Sequence, residues 1–281
     1  MDFIKNLEPI LICDIGASAC DPTNHLEDLL NNTKSLLYGF EPNKDEYLKL
    51  TSRIDSTKKK YFDKAIGDGT EKEFNICNYP GWSSFLIPEK EYVKNFANFE
   101  NDSIILKKEK IKTERLDDIN FENEIDLLKI DSQGYESIII DNGKKTASDC
   151  LVVQLELSPI PIYKNEKKMS YVFNQVEKLG FNLNMFSTIN TKTFKPVVIG
   201  KNPLDGLHTI FQLDCVFVPS FEKLNNLDEE KLKKLILIMF YSYKSYDFVD
   251  YLIRLLDKKA KSNLIYDYRN LLKNINIIKK Y

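Results

Sequence analysis

Short apolar runs that end in an acid or a glycine recur along this chain and alternate with amphipathic segments. The runs are ILICDIGAS (10–18), SLLYGFEP (35–42), KKYFDKAIGD (59–68), IDLLKIDS (125–132), LVVQLELS (151–158), NLNMFSTINTKTF (182–194) and FQLDCVFVP (211–219). Helices are predicted over 22–32, 43–54 and 169–181. This alternation predicts an open, doubly wound α/β sheet. The run KEFNICNY (72–79) is expected to extend the edge of that sheet.

The amino-acid composition argues against several classes of function. The chain has 281 residues, 43% of them apolar and 29% charged, which is enough for one core with a smaller appendage. The net charge of −2 and the lack of a basic stripe argue against nucleic-acid binding. No run reaches the roughly 18 apolar residues of a membrane span. Five cysteines without a CxxC pair favour reduced, buried thiols and a cytoplasmic protein.

The composition changes near Phe221, and a domain boundary is expected there. Residues 1–220 form the predicted α/β domain, and residues 221–281 a helical C-terminal extension with apolar residues at helical spacing. The apolar positions are Leu232, Leu235, Ile236, Met239, Phe240 and Tyr243. That face is expected to pack on the domain, to close over a pocket, or to form a homodimer interface. Packing within the chain is the favoured outcome.

Four acids follow predicted strands, and they are Asp14, Glu41, Asp131 and Glu156. The carboxyl ends of parallel strands meet at one edge of a sheet, so these side chains are expected in one cleft. Glu41 follows Asp14 by about one strand–helix–strand unit, the spacing at which an acid binds ribose hydroxyls. An equally simple role for such acids is to cap strands and helices. The spacing favours a nucleoside site.

The turn after the first strand, DIGASACD, has one glycine where a dinucleotide-binding turn has three. Without the second glycine, a pyrophosphate cannot approach the helix N-terminus closely. S-adenosylmethionine has a nucleoside but no phosphate bridge, and therefore fits better.

An ordered set of motifs resembles the FkbM-type family of S-adenosylmethionine-dependent methyltransferases. The motifs are DIGA, GFEP, AIGD, SSF, LLKIDSQGYE and VQLE, within about residues 10–220. The resemblance implies the Rossmann-like class I fold, with seven strands and the last one antiparallel. It also implies methyl transfer to a hydroxyl, often on a sugar or a polyketide. By resemblance, the cofactor contacts fall on Asp14, Gly16, Ala17, Ser18, Glu41, Pro42, Ala65 and Asp131.

Removing the proton of an acceptor hydroxyl requires a base beside the methyl donor. The candidates are Asp131, Glu156, Lys129 and His208. Asp131 and Glu156 could also hold Mg²⁺, but an obligatory metal is not expected. The acceptor is expected at Trp82, Ser83 and Ser84, with a buried, structural Trp82 as the alternative.

Two other functions are weighed against an O-methyltransferase acting on a sugar or glycan precursor. An NAD(P)-dependent oxidoreductase requires the missing glycines. A non-catalytic binding protein on the same scaffold is kept open by SACDPT (18–23), where family members carry a richer glycine loop.

Overall fold

The computed structural model describes residues 1, 4, 7–19, 24–52, 57–202 and 204–278. Its main element is a seven-stranded sheet of β1 (Ile10–Ile15), β2 (Ser35–Phe40), β3 (Lys59–Phe62), β7 (Leu127–Ile130), β8 (Val152–Leu157), β9 (Phe181–Lys192) and β10 (Thr209–Pro219). The strand order is β3-β2-β1-β7-β8-β10-β9. In this order the neighbouring strands β3, β2, β1, β7 and β8 pair in parallel. Strand β10 pairs antiparallel with both β8 and β9. The doubly wound sheet with an antiparallel last strand is confirmed.

Helices cover both faces of this sheet. The helices of the described residues are α1 (Asn24–Asn32), α2 (Lys44–Ser52), α3 (Lys90–Val93), α4 (Phe99–Asp102), α5 (Glu136–Asp141), α6 (Lys144–Asp149), α7 (Met169–Lys178), α8 (Phe221–Asn226), α9 (Glu229–Tyr241), α10 (Tyr246–Ala260) and α11 (Leu264–Asn274). The first two residues of the predicted helix 22–32 and the last two of 43–54 lie outside the described residues.

The central strands are buried on both faces, which explains their continuous apolar sequence. In β1, Ile10 and Ile12 join the cluster on the α1 and α9 face, whereas Leu11, Cys13 and Ile15 join the cluster on the α5 and α7 face. Successive side chains alternate between the two faces, as strand geometry requires.

A second, three-stranded sheet corrects two predictions. It has the order β4-β6-β5, with β4 (Ala65–Ile66), β5 (Glu71–Cys77) and β6 (Ile105–Glu114). The predicted strand 59–68 is therefore two strands in two sheets, because the chain bends after Phe62. The run 72–79 does not extend the large sheet, since β5 pairs with β6. The lysine-rich sequence of β6 hid that strand, whose Lys108 pairs with Glu73 across the sheet.

The C-terminal extension packs on the sheet. All six apolar positions predicted to share a face of α9 are buried in the cluster that contains Ile10, Ile12 and Val216 of the sheet. Residues 235–240 of α9 are all buried, because α9 lies between the sheet and α10. The C-terminal half of α9 is thus apolar on all sides, as expected for a helix segment between two layers. The division into residues 1–220 and 221–281 stays a prediction.

Among the described residues, no helix has the length and apolar character needed to cross a membrane.

Candidate functional site

A cavity of about 610 Å³ opens at the carboxyl ends of the parallel strands. One part, called the β1 side, is lined by Gly16, Ser18, Glu41, Pro42, Asn43 and Glu46. The other, called the β9 side, is lined by Trp82, Phe99, Asn190, Lys192, Gln212 and Asp214. Asp131, Gln133 and Glu156 also line the cavity, from the ends of β7 and β8. Its size and position are those of a ligand site in an α/β fold.

The turn after β1 requires glycine at position 16. Gly16 has a φ of +83°, and a Cβ atom there would lie 1.8 Å from the carbonyl oxygen of Asp131. The Gly16 N–H donates to the Phe40 carbonyl at 3.0 Å, and the Asp131 N–H donates to the Ile15 carbonyl at 2.9 Å. These contacts bring the ends of β1, β2 and β7 together. The single glycine therefore shapes the protein backbone itself.

Glu41 is 6% exposed and follows β2. One of its carboxyl oxygens accepts the backbone N–H of Asn43 at 2.6 Å. The other has no hydrogen bond within the described part of the chain. Burial, together with the charges of Glu46, Asp14 and Asp131, raises the pKa of Glu41 to about 8, against the opposing effect of the Asn43 hydrogen bond. Such a group is unfavourable unless a ligand brings hydroxyl donors or positive charge.

A buried ion triplet lies beneath the cavity. Lys129 is 4% exposed, and its Nζ lies 3.3 Å from Oδ1 of Asp14 and 3.5 Å from Oδ2 of Asp131. Asp14 and Lys129 are partners across β1 and β7, so the sheet register holds this pair in place. Neither Asp14 nor Lys129 lines the cavity. The structure thus places Asp14 and Lys129 beneath Asp131 and away from the cavity wall, whereas the sequence predicted direct contacts.

Gln133 connects the two acids at the ends of β7 and β8. Its Nε2 donates to Oδ1 of Asp131 and to Oε2 of Glu156, each at 2.8 Å. Its Oε1 accepts the Tyr163 hydroxyl at 3.0 Å, which fixes the orientation of the amide. Gln133 has a φ of +56°, a backbone conformation that non-glycine residues rarely adopt. Gln133 lies within the LLKIDSQGYE motif, but its residue type alone predicted no role for it.

Glu156 is the most strongly perturbed acid of the cavity. Burial, and then the charges of Asp131 and Asp214, raise the pKa of Glu156 well above its usual range. Its Oε2 also accepts from Nε2 of Gln212 at 2.7 Å. This shift favours the protonated form of Glu156 beside Asp131.

Glu136 organises the turn that carries Gln133. It is buried, and its Oε1 accepts the backbone N–H groups of Ser132 at 2.9 Å and Gly134 at 3.1 Å. Burial raises the pKa of Glu136 to about 8. It does not line the cavity, so its role is to hold the turn.

The β9 side has an aromatic wall. Trp82 is 6% exposed and packs with its ring centroid 5.1 Å from that of Phe99 and 6.1 Å from that of Phe211. Ser83 lines the cavity, but its hydroxyl accepts the Cys77 N–H at 3.1 Å. Ser84 is buried away from the cavity and donates to the Gln133 carbonyl at 2.7 Å. Trp82 thus lines the cavity as a member of a packed aromatic cluster, and Ser84 supports the turn.

Of the remaining sequence candidates, Ser18 lines the cavity, whereas His208, Ala17 and Ala65 do not. His208 is exposed and does not line the cavity, so the structure gives no support to it as the base. Ala17 and Ala65 are buried behind the wall. Ser18 lines the cavity and donates to Glu46 at 3.4 Å. Within the described ranges, no group of three or more His, Cys, Asp or Glu residues is arranged to hold a metal ion.

Several lining residues were missed by sequence analysis. They are Asn43, Glu46, Gln133, Thr188, Asn190, Lys192, Gln212 and Asp214. Five of them come from the β9–β10 hairpin. For these five residues the only signal in the sequence was that polar residues alternate along a strand. Any strand with one solvent-facing side has the same pattern, so it does not indicate a binding site.

Comparisons with solved structures give distant similarities. A magnesium protoporphyrin IX methyltransferase from Synechocystis PCC 6803 has 13% identity and a TM-score of 0.36, covering 76% of this chain and 72% of its own. A putative S-adenosylmethionine-dependent methyltransferase from Listeria monocytogenes has 8% identity and a TM-score of 0.41, covering 75% and 91%. At such scores these similarities carry no argument, and the fold assignment rests on the strand order. No curated protein matches the chain significantly.

The family is shown by a sequence-based model. The model of the methyltransferase FkbM domain matches residues 14–183, more than half of the chain. The match runs from the end of β1 through β8 and includes Gly16, Glu41, Asp131, Gln133 and Glu156. It excludes the oxidoreductase alternative and favours an enzyme over a non-catalytic binding protein. The strand order and this match together make the chain a member of the FkbM methyltransferase family, an enzyme whose methyl donor is S-adenosylmethionine.

Proposed function

We propose that this enzyme transfers a methyl group to a hydroxyl of a sugar or glycan precursor. One observation carries the proposal: the Asp131–Glu156 pair faces a β9 side that combines an aromatic wall with neutral and charged hydrogen-bonding side chains. Sugars present both apolar C–H faces and several hydroxyls, and such a wall can contact both. A purely apolar acceptor would offer no hydrogen-bonding partner to Asn190 or Asp214, at a cost of about 1–3 kcal/mol for each polar group that it buries.

S-adenosylmethionine is assigned to the β1 side. Glu41 offers a carboxyl oxygen to the ribose hydroxyls, while Gly16 and Ser18 line the same wall. The acids Glu41, Glu46 and Asp131 on this wall suit a cofactor that carries positive charge and disfavour a pyrophosphate. Bound there, the cofactor supplies an electrophilic methyl group on a sulfonium.

Asp131 is assigned as the proton acceptor. Lys129 and Gln133 fix its carboxylate at the boundary between the two sides. As the acceptor oxygen bonds to the methyl carbon, its proton passes to Asp131, and the pair of electrons in the broken C–S bond stays on sulfur. Glu156, protonated, donates a hydrogen bond and orients the acceptor. Positioning and proton removal are the main tasks left to the protein in such a displacement.

The test is transfer of labelled methyl from S-adenosylmethionine into matched acceptors. Free and phosphorylated hexoses and uronic acids would be compared with analogues in which single hydroxyls are replaced by hydrogen. We expect label in a sugar, and its loss when one particular hydroxyl is removed. Transfer to a nitrogen- or carbon-centred acceptor alone would overturn the proposal.

Further features of the enzyme follow as proposals. The four described cysteines are buried free thiols, which supports a reducing, cytoplasmic location. The aromatics Tyr241, Tyr246, Phe248 and Tyr251 pack against the core cluster, which leaves them less available for a homodimer than the sequence indicated. A homodimer through the extension stays a prediction, and light scattering of the full chain tests it. Turnover after dialysis against a chelator tests metal dependence.

A further inference from the structure

Lys192 stands out among the cations of the cavity. It lies at the end of β9, and its Nζ donates to the Leu204 carbonyl at 3.1 Å. The same ammonium lies 5.6 Å from the centroid of the Phe99 ring. Within the described part of the chain, no carboxylate lies within 4.0 Å of it. Lys64, the other lysine at the cavity wall, is paired with Glu114 at 2.9 Å.

The environment of Lys192 suits a bound anion. Burial lowers the pKa of Lys192, and the charge of Asp205 only partly offsets this. A half-buried ammonium held by one carbonyl and one aromatic ring retains donor capacity, because an ammonium has three N–H groups. An anion at this position would offset the desolvation of the ammonium.

The sheet register sets the distance between Lys192 and the reacting groups. Glu156 pairs with Asp214 across β8 and β10, and Asp214 pairs with Thr188 across β10 and β9. Thr188, Asn190 and Lys192 all line the cavity, at every second position of β9. At about 3.3 Å per residue, Lys192 lies roughly 13 Å along the strand from the level of Glu156. A ligand that spans this distance is about the size of a substituted sugar.

We propose that Lys192 binds an anionic group of the acceptor, a phosphate or a carboxylate, while the hydroxyl to be methylated lies at the Asp131–Glu156 pair. The enzyme then selects acidic or phosphorylated sugars over neutral ones. The inference rests on the proposed function, because it assumes a hydroxylated acceptor on the β9 side. It adds the charge of that acceptor and the residue that recognises it.

Trp82 provides a direct measurement of this binding. It is the only tryptophan of the chain, and its ring contacts Phe99, over which the Lys192 ammonium lies. The fluorescence of the full-length protein would be followed at constant ionic strength during titration with glucose 1-phosphate, glucuronate, glucose or inorganic phosphate. We expect a saturable change with one or both anionic sugars, and none with glucose. The phosphate and glucuronate arms distinguish the two anion classes.

The matched variants are Lys192→Gln, Lys192→Arg and Lys195→Gln. Lys192→Gln is expected to weaken binding of the anionic sugar at least tenfold, whereas Lys192→Arg keeps the charge and most of the affinity. Lys195 is exposed, outside the cavity and paired with Glu100, so its replacement controls for net charge. Equal affinities of wild type and Lys192→Gln, or a change of the same size in Lys195→Gln, would overturn the proposal. So would the lack of any saturable anion binding.

Turnover separates this inference from the function on which it rests. With an acidic sugar that the enzyme methylates as the substrate, Lys192→Gln should raise KM about tenfold or more and change kcat by less than threefold. Anion binding through Lys192 without methylation of any hydroxyl would overturn the proposed function alone. Methylation of neutral and anionic sugars with equal kcat/KM would overturn the role of Lys192 alone.

Discussion

The two sides of the cavity are built in different ways. The β1 side uses residues that directly follow parallel strands, so the sheet register alone brings Gly16, Glu41 and Asp131 together. The β9 side is assembled from the β9–β10 hairpin, the short 3₁₀ helix Pro80–Trp82 and the aromatic cluster around Phe211. One side follows from local motifs, whereas the other follows from contacts between distant parts of the chain.

The electrostatics of the two sides also differ. The β1 side collects acids, including Glu41, whose pKa burial raises to about 8. The β9 side mixes amides and an acid with the lysine Lys192. Acids on the β1 side suit a cofactor that always carries a positive charge, whereas the mixed side chains of the β9 side suit an acceptor with several kinds of polar group. The comparison predicts that variants on one side leave binding on the other nearly unchanged.

The largest effect is expected at the boundary, from Asp131→Asn. This change keeps the shape of the side chain but removes the proton acceptor, so kcat should fall by about 10²–10⁴. Labelled methyl transfer measures kcat, and calorimetry with S-adenosylmethionine shows whether the cofactor still binds. The melting temperature should change little.

Glu156→Gln is the matched control for Asp131→Asn. An amide resembles the protonated carboxyl that the raised pKa of Glu156 implies, so its kcat should fall far less than that of Asp131→Asn. If Glu156→Gln were the more damaging change, the roles of the two acids would have to be exchanged.

Glu41→Ala should weaken S-adenosylmethionine binding by about 2–4 kcal/mol, since each charge-assisted hydrogen bond to the ribose is worth roughly 1.5–3 kcal/mol. Calorimetry measures this directly. Asp214→Asn removes the carboxyl group of the β9 side and should leave cofactor affinity within about twofold. Equal losses in both variants would contradict the division between the two sides.

The pH dependence of stability provides a third comparison, between wild type and Glu41→Gln. The folded pKa of Glu41, about 8, is above its ordinary value of 4.5, so its neutral form contributes stability that is lost as the pH rises through 8. Glu41→Gln has no such loss. The variant should therefore gain stability relative to wild type between pH 5 and pH 9, on the order of 4 kcal/mol. Denaturant unfolding of both proteins at pH 5 and at pH 9 measures this gain. If the difference in unfolding free energy between variant and wild type were the same at both pH values, Glu41 would not have the raised pKa.

The smallest effect is expected from Tyr243→Phe in the C-terminal extension. The Tyr243 hydroxyl donates to Oε1 of Gln154 at 2.8 Å, and Gln154 neighbours Lys129 across β7 and β8. His25 contacts the same oxygen at 2.9 Å, so one partner remains. We expect a loss of about 1 kcal/mol in unfolding free energy and less than a twofold change in kcat. A large loss of turnover would extend the site into the extension.

Much of the fold could be predicted because its signals are local. The order of apolar runs and helices sufficed for the doubly wound sheet, and the acids after β1, β2, β7 and β8 gave the edge where the cavity lies. β6 was missed because its two faces are largely solvent-exposed and its lysines do not alternate with a buried apolar row. β5 was therefore predicted in the wrong sheet, because the sequence of a single strand does not identify the strand with which it pairs.

The sequence by itself determined the elements of the large sheet, the family motifs and the acids at the strand ends, since these depend on neighbours along the chain. Only the tertiary structure decided that Asp14 and Lys129 lie beneath the cavity, that Gln133 joins Asp131 to Glu156, and that His208 is outside. It also decided that α9 is buried between the sheet and α10, and that Lys192 faces the aromatic wall. Those facts depend on which distant segments pack together, and burial and pairing, more than residue type, then set what each side chain can do.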